Sequence, residues 1–91
     1  MDRSQFEFQM TYLMKELQET VNYPAIKDYL ESKVNLLIEL AHKVKKGASG
    51  VPDLIREFDH LATMHFWSEK QRPLFDEMRE TLYEYLGLPK K

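Results

Sequence analysis

The feature that most constrains this sequence is a repeat of apolar residues at steps of three and four, in four runs separated by proline or glycine. This spacing puts the apolar side chains of each run on one face of an α-helix. Since no segment alternates apolar and polar residues with a period of two, we predict no strands. The runs predict a single domain with helices over residues of about 5–20, 24–46, 52–67 and 73–86.

The predicted core is built from the apolar faces of these runs. Their residues are Phe6, Met10, Leu13, Met14, Leu17 and Val21 in the first run, Ile26, Leu30, Val34, Leu37, Ala41 and Val44 in the second, Leu54, Ile55, Phe58, Leu61, Ala62 and His65 in the third, and Leu74, Phe75, Met78, Leu82, Tyr85 and Leu86 in the fourth. We expect His65 to be a core histidine with a hydrogen-bond partner. Because short joints favour antiparallel neighbours, the pattern predicts an all-α fold, an antiparallel up-down-up-down four-helix bundle.

Capping residues mark the starts of the first two helices. Ser4 and Glu7 have the spacing of a capping box, in which each side chain binds the backbone N–H of the other residue. Pro24 suits the first turn of the second helix, where its missing N–H costs nothing. The first helix should therefore begin near residue 5 and end a few residues before Pro24.

Glycine, proline and serine residues indicate where the two remaining joints lie. Gly47 is placed to end the second helix in a left-handed conformation, and Pro52 is placed to start the third. This joint is not a phosphate-binding loop, because it lacks a preceding strand and a Gly-Lys-Ser/Thr ending. For the last joint two starts stay open: a capping box of Ser68 with Gln71, or a direct start at Pro73.

Composition excludes several classes of protein. The chain has 91 residues and no cysteine, so it has neither a disulfide framework nor a cysteine-based metal site. Its net charge of -2 comes from 13 basic and 15 acidic residues in alternation, which argues against a nucleic-acid partner. The opening "MDRSQFEFQ" has no apolar core of a signal peptide, and no apolar run is long enough to cross a bilayer.

Two Glu-x-x-His pairs, Glu39 with His42 and Glu57 with His60, have the spacing that di-iron bundles use. Metal ligands of that kind must point into the bundle. At about 100° per residue, Glu39, His42 and His60 lie roughly 130° or more from the centre of the apolar face of their helix. We therefore expect exposed side chains here, and predict no metal and no cofactor.

The segment "AHKVKKG" invites comparison with histidine phosphotransfer domains, whose exposed histidine is followed by Lys three and Gly four residues later. His42 is expected to be exposed and Lys45 stands three residues later, but Lys46 occupies the position of the glycine. This makes phosphotransfer the less favoured interpretation. No nucleophile with an adjacent base is recognisable either, so we predict that the protein is not an enzyme.

Several aromatic residues lie away from the predicted core. Phe8 and Tyr12 lie roughly opposite the apolar face of the first helix, Trp67 lies roughly opposite Phe58, and Tyr83 flanks the fourth face. Exposed aromatic residues on a small protein indicate contact surfaces for a partner. In the alternative, Phe8 and Tyr12 line a groove to a neighbouring helix and Trp67 folds over the end of the bundle.

The order and spacing of the helices resemble those of the small immunity proteins that protect lactic acid bacteria from class IIa (pediocin-like) bacteriocins, particularly the enterocin A immunity type. The resemblance covers roughly Tyr12 to Gly87. It is strongest in the second joint, "GVPDLIREFDHL", and in the last helix with its approach, "SEKQRPLFDEMRETLYEYLG".

This resemblance implies a four-helix bundle in the cytosol of the producer cell, acting at the inner face of the membrane without catalysis. Its implied partner is the mannose phosphotransferase permease once a bacteriocin has engaged it. In the family, the C-terminal half and tail determine which bacteriocin is countered. The corresponding surface candidates here are Trp67, Lys70, Arg72, Tyr83, Lys90 and Lys91, beside Phe8 and Tyr12. The alternative is a small regulatory or phage-encoded helical protein that binds a soluble target.

Overall fold

The computed structural model describes residues 1–47 and 49–89, in which four α-helices account for most of the chain. They are α1 (Arg3–Glu19), α2 (Pro24–Lys45), α3 (Val51–Ala62) and α4 (Arg72–Leu86). No strand occurs among the described residues. The all-α four-helix fold is thus confirmed, and the bounds of α1, α2 and α4 lie within two residues of the predicted ones.

The first helix begins earlier than its predicted capping box. Asp2 is the N-cap: its Oδ1 accepts from the N–H of Gln5 at 2.8 Å, and Gln5 Oε1 accepts from the N–H of Asp2 at 3.0 Å. The prediction of Ser4 with Glu7 was therefore wrong in its residues, although a capping box of the same kind is present two residues earlier. Since Ser4 already lies inside the helix, the Glu7 side chain is free to contact α2.

Proline lies at the starts of the other helices, and glycine follows the ends of α2 and α4. Pro24 and Pro52 lie in the first turns of α2 and α3. Gly47, with φ of 98°, follows the last turn of α2. Gly87 is left-handed, with φ of 70°, and the N–H of Leu88 donates to the carbonyl of Tyr83 at 2.9 Å, so the end of α4 is closed by glycine as predicted.

The third helix is shorter than predicted, ending at Ala62 instead of near residue 67. The next residue, Thr63, bonds back to the carbonyl of Asp59 through both its N–H (3.0 Å) and its hydroxyl (2.6 Å). Residues 63–71 then form turns before α4. His65 lies in this connection and is exposed, so its prediction as a core histidine was wrong.

Of the two starts proposed for the last helix, the direct start at Pro73 is the one present, and the capping box of Ser68 with Gln71 does not start the helix. Pro73 lies in the first turn of α4, which begins at Arg72. The N–H of Ser68 donates to Gln71 Oε1 at 2.7 Å, but as part of the turn before the helix, because Gln71 itself is the N-cap.

One apolar core joins the helices. α1 packs against α2 and α4, and α3 packs against the same two helices. The buried apolar residues are Phe6, Met10, Leu13, Met14, Leu17, Val21, Leu30, Val34, Leu37, Ala41, Leu54, Phe58, Leu61, Trp67, Phe75, Met78, Leu82 and Tyr85. All of them except Trp67 belong to the predicted stripes. The full up-down-up-down order of the helices stays a prediction.

None of the helices in the described part of the chain combines the length and the apolar content that crossing a bilayer requires.

We expect the variant Leu17→Ala to lose about 2–5 kcal/mol of unfolding free energy, because Leu17 is fully buried and truncation leaves a cavity. For a domain of this size that is a large part of the total stability. Urea unfolding followed by circular dichroism measures it. The exposed Ser32 on α2 offers a control, and Ser32→Ala should change stability by less than about 0.5 kcal/mol. Equal stability of the two variants would contradict the assignment of Leu17 to the core.

Candidate functional site

The side chain with the most polar cross-helix contacts is that of His42, near the end of α2. Its Nε2 lies 2.6 Å from Glu7 Oε2, and its Nδ1 lies 3.0 Å from the hydroxyl of Tyr85. Only 12% of the His42 side chain is exposed. The prediction of an exposed His42 was wrong, because the start of α1 packs against the flank of α2 that carries this residue.

Three aromatic rings complete this cluster. Phe6 stacks on Tyr85 with ring centroids 4.1 Å apart and an angle of 7° between the planes. The His42 ring meets both edge-on, at 5.8 Å from Phe6 and 5.7 Å from Tyr85. Since these residues come from the start of α1 and the ends of α2 and α4, the cluster holds three helix ends together.

Lys45 adds a charge to the same end of the bundle. Its Nζ donates to the backbone carbonyl of Tyr85 at 2.6 Å and lies 4.9 Å from the centroid of the Tyr85 ring. The last turn of α4 has no basic residue of its own. Lys45 therefore supplies, from α2, the cation that favours the negative end of the α4 dipole.

Hydrogen bonding sets the charge state at Glu7. The bond from His42, and after it the bond from Arg3 at 3.3 Å, hold the pKa of the Glu7 carboxyl below its ordinary value of 4.5. Both ring nitrogens of His42 are occupied by these contacts, and Tyr85 is 4% exposed. The cluster thus offers neither a free imidazole nitrogen nor an accessible hydroxyl, and its geometry suits a cross-link between helices.

The two Glu-x-x-His pairs do not come together. Glu39 and His60 are exposed, and Glu57 lies 3.6 Å from the Nζ of Lys33 in an ion pair between α3 and α2. Within residues 1–47 and 49–89, no three His, Cys, Asp or Glu side chains are grouped as a metal ion would need.

A second candidate site is a surface cavity of about 180 Å³ between the α1–α2 joint and the α3–α4 connection, which we call the end pocket. Its lining consists of Thr20, Val21, Asn22, Tyr23, Ile26, Phe66, Trp67 and Gln71. Because all of the lining except Ile26 comes from the two joints outside the helices, a helical periodicity could not have predicted it.

Trp67 forms part of this lining as a buried residue. It is 6% exposed, its Nε1 donates to the carbonyl of Leu61 at 2.7 Å, and its ring lies 5.0 Å from that of Phe75. The indole thereby satisfies a carbonyl at the end of α3. The prediction that Trp67 is exposed was wrong, and its burial agrees with the alternative in which it folds over the end of the bundle. Its role toward a partner stays a prediction.

The buried polar residue of the lining is Gln71, which is 6% exposed. Its Nε2 donates to the hydroxyl of Thr20 at 2.6 Å, and its Oε1 accepts from the N–H of Ser68. The amide joins the end of α1 to the start of α4, so the polar side of the end pocket is fixed before any ligand arrives.

Two exposed aromatic residues border the end pocket. Tyr23 is 68% exposed and Phe66 is 37% exposed. Neither residue was among the predicted surface candidates. The sequence could have indicated that Tyr23 lies outside a helix, because a residue before proline favours an extended backbone (φ −103°, ψ 119°). For Phe66 the signal was hidden by the overestimated length of α3.

The remaining surface candidates lie on α1 and beside the start of α4. Phe8 is 72% exposed and Tyr12 is 50% exposed on α1, so neither lines a closed groove. Lys70 and Arg72 are exposed near the start of α4, and Arg72 pairs with Glu69 at 3.5 Å.

Three more candidates are in or after α4. Tyr83 is partly buried against the core, which limits the area that it can offer to a partner. Lys90 and Lys91 lie outside the described residues.

Comparisons with known proteins identify no relative. No protein-family model matches the chain, no curated protein matches it, and no solved structure matches it.

Replacing Glu7 by Gln tests the His42 cluster. Because the folded state lowers the pKa of Glu7, its carboxylate stabilises the fold above the ordinary pKa of 4.5, and this contribution disappears as the pH falls through the folded-state pKa. We expect Glu7→Gln to unfold at a lower urea concentration than the parent at about pH 7, and the difference to shrink below about pH 4.5.

The matched control is Glu80→Gln on α4, which changes an exposed carboxylate for which the described residues provide no ion-pair partner. Its urea midpoint should follow that of the parent throughout. A Glu7→Gln difference that stays constant down to about pH 3 would show that the charge of Glu7 is not what stabilises the cluster.

Proposed function

We propose that the chain is an immunity protein of the pediocin-like bacteriocin type, a binder without catalysis. In this proposal it acts in the cytosol, at the inner face of the membrane, on the mannose phosphotransferase permease that a bacteriocin has engaged. The resemblance of helix order and joint spacing supports it, and the all-α four-helix fold is the one that the resemblance implies.

The single observation that carries the proposal is the end pocket with its exposed aromatic border. Phe66, Trp67 and Gln71 belong to the C-terminal half of the chain, where the resemblance places discrimination between bacteriocins. Tyrosine, tryptophan and other large side chains at the edge of a desolvated pocket are typical centres of binding energy in protein interfaces.

The size of the end pocket favours a protein partner over a small-molecule substrate. Ligand sites usually enclose about 300–1,000 Å³, whereas this cavity has about 180 Å³. That volume is enough for one or two apolar side chains. An anchoring side chain of a partner protein is therefore the better match.

Hydrogen bonds hold the side chains that form the floor of the end pocket. The Trp67 indole is bonded to the carbonyl of Leu61, and the Gln71 amide is bonded to Thr20 and Ser68. Ordering such side chains on binding would otherwise reduce affinity by about 0.5–1.5 kcal/mol for each one. Here that ordering is already present in the free protein, which supports a preformed binding site.

Charges next to the end pocket complete the proposed surface. Lys70 and Arg72 are exposed directly before and at the start of α4. We assign them to the rim of the interface, where charges affect the rate of encounter more than the affinity. Tyr83 and the two C-terminal lysines, Lys90 and Lys91, stay in the proposal as further candidates for specificity.

Net charge favours a second candidate, a small regulatory or phage-encoded protein that binds a soluble target. An anionic membrane surface attracts polybasic segments, whereas this chain carries 15 acidic against 13 basic residues. An affinity pull-down separates the two: recovery of the permease supports immunity, and recovery of a soluble protein without the permease supports the alternative.

Expression in a strain sensitive to pediocin-like bacteriocins should raise survival, and the double variant Tyr23→Ala with Phe66→Ala should lose most of that protection. Losing two border aromatics removes about 2 kcal/mol or more of binding energy, which is over tenfold in affinity. Colony counts across a bacteriocin dilution series measure the effect.

A matched control is Phe8→Ala, which removes an equally exposed aromatic residue from α1 and should leave protection intact. Circular dichroism establishes that each variant is folded. Loss of protection in Phe8→Ala but not in the double variant would move the site to α1. Unchanged killing of cells that express the parent chain, by every pediocin-like peptide tried, would refute the immunity function.

A further inference from the structure

The Gln71 side chain in the lining of the end pocket has one amide hydrogen left over. Its Oε1 accepts from both the N–H and the hydroxyl of Ser68, at 2.7 and 3.2 Å. Since a backbone N–H needs an acceptor, these contacts fix which amide atom is the oxygen. Its Nε2 donates to the hydroxyl of Thr20 at 2.6 Å. A primary amide nitrogen carries two hydrogens, and the described residues provide an acceptor for one of them.

The position of this hydrogen makes it part of the end pocket. Thr20 and Gln71 both line the cavity, so the hydrogen bond between them lies along its wall. The Thr20 hydroxyl already donates to the carbonyl of Leu17 at 2.6 Å, and it therefore has no hydrogen to offer an occupant. Because Gln71 is 6% exposed, an occupant of the end pocket is the group that can reach its second hydrogen.

The rest of the end pocket is uncharged and largely aromatic. None of its lining residues carries a charge, so a charged occupant would lose its hydration without meeting an opposite charge. Phe66 meets Trp67 edge-on with ring centroids 4.7 Å apart, and Trp67 lies 5.0 Å from Phe75. A ring placed in the cavity would extend this row, and aromatic rings attract each other beyond the area that they bury. The lining therefore selects an uncharged aromatic side chain.

We propose that the end pocket binds a tyrosine side chain of the partner protein, whose phenol oxygen accepts the second amide hydrogen of Gln71. Phenylalanine has no acceptor and the indole of tryptophan only donates. Either would cover the amide hydrogen and leave it unpaired, which is unfavourable for a buried donor. The phenol hydrogen can in turn be accepted by the side-chain oxygen of Asn22, which also lines the cavity. A volume of about 180 Å³ accommodates one such ring.

This inference rests on the proposed function in one respect, since it takes the end pocket as the site of contact with a protein. Its test uses the purified full chain without cells, permease or bacteriocin. The probes are the N-acetyl amides of tyrosine, phenylalanine and leucine, which are all uncharged. The readouts are the NMR chemical shifts of the Gln71 side-chain amide and of the Trp67 indole N–H. The second signal is unambiguous, because Trp67 is the one tryptophan of the chain.

We expect the tyrosine amide to shift both signals, with a dissociation constant of about 1 mM for a ligand of its size. The phenylalanine amide should bind about tenfold more weakly, because it leaves the Gln71 hydrogen unpaired. The leucine amide, which lacks both the ring and the acceptor, should bind more weakly still. Titrations up to about 20 mM cover the range in which tyrosine and phenylalanine differ.

Three variants connect the binding to the end pocket. Gln71→Met removes the donor and keeps the length of the side chain, so the tyrosine and phenylalanine amides should bind to it equally. Phe66→Ala should weaken both by about threefold or more. The matched control, Phe8→Ala on α1, should bind both as the parent does. Circular dichroism establishes folding. If Gln71→Met does not fold, the ratio of the two affinities in the parent decides.

Equal binding of the tyrosine and phenylalanine amides to the parent would overturn the hydrogen bond to Gln71, and with it the choice of tyrosine. A leucine amide that binds as tightly as tyrosine, or an unchanged Gln71 signal up to about 20 mM, would overturn it as well. Failure of the proposed function is a separate result. A chain that binds the tyrosine amide but gives no protection in cells would refute immunity and keep the tyrosine site.

Discussion

The fold depends on the burial of one apolar face from each of four helices, the shortest of which is too short to be stable alone. Isolated helices of fewer than about 12–15 residues are marginal in water, and α3 has 12 residues. Its Leu54, Phe58 and Leu61 are almost completely buried, so tertiary packing supplies the stability that its own hydrogen bonds lack. The helices therefore form together, and each joint is positioned by the core that it connects.

Hydrophobic burial has no direction, so the contacts that fix the helices in register are the polar ones at the two ends of the bundle. At one end His42 joins Glu7 to Tyr85, and at the other Gln71 joins Thr20 to Ser68. Each side chain uses both of its polar atoms, and no buried side-chain nitrogen or oxygen of the described residues lacks a partner. Polar networks that are fully satisfied in this way rigidify a structure and define one packing arrangement.

The helical periodicity predicted which face of each helix is buried. It failed where the packing of a neighbouring helix or connection determines whether a residue is buried. The apolar stripes identified almost the whole core, because each helix buries the face on which its apolar residues fall. The position of His42 away from the apolar face of α2 could not reveal that α1 covers that flank of the helix. Trp67 and His65 were misplaced for another reason. Because α3 ends at Ala62, with Thr63 as its C-cap, the helical angles assigned to later residues do not apply.

The surfaces around the exposed aromatic residues differ in shape, and this shape limits what each surface can bind. Tyr23 and Phe66 lie at helix breaks, where the backbone turns away and leaves a concavity between two joints. Phe8 and Tyr12 lie inside the regular helix α1, whose outer surface is convex. A concave site can accept a protruding side chain from a partner protein, whereas a convex helical face offers no such pocket.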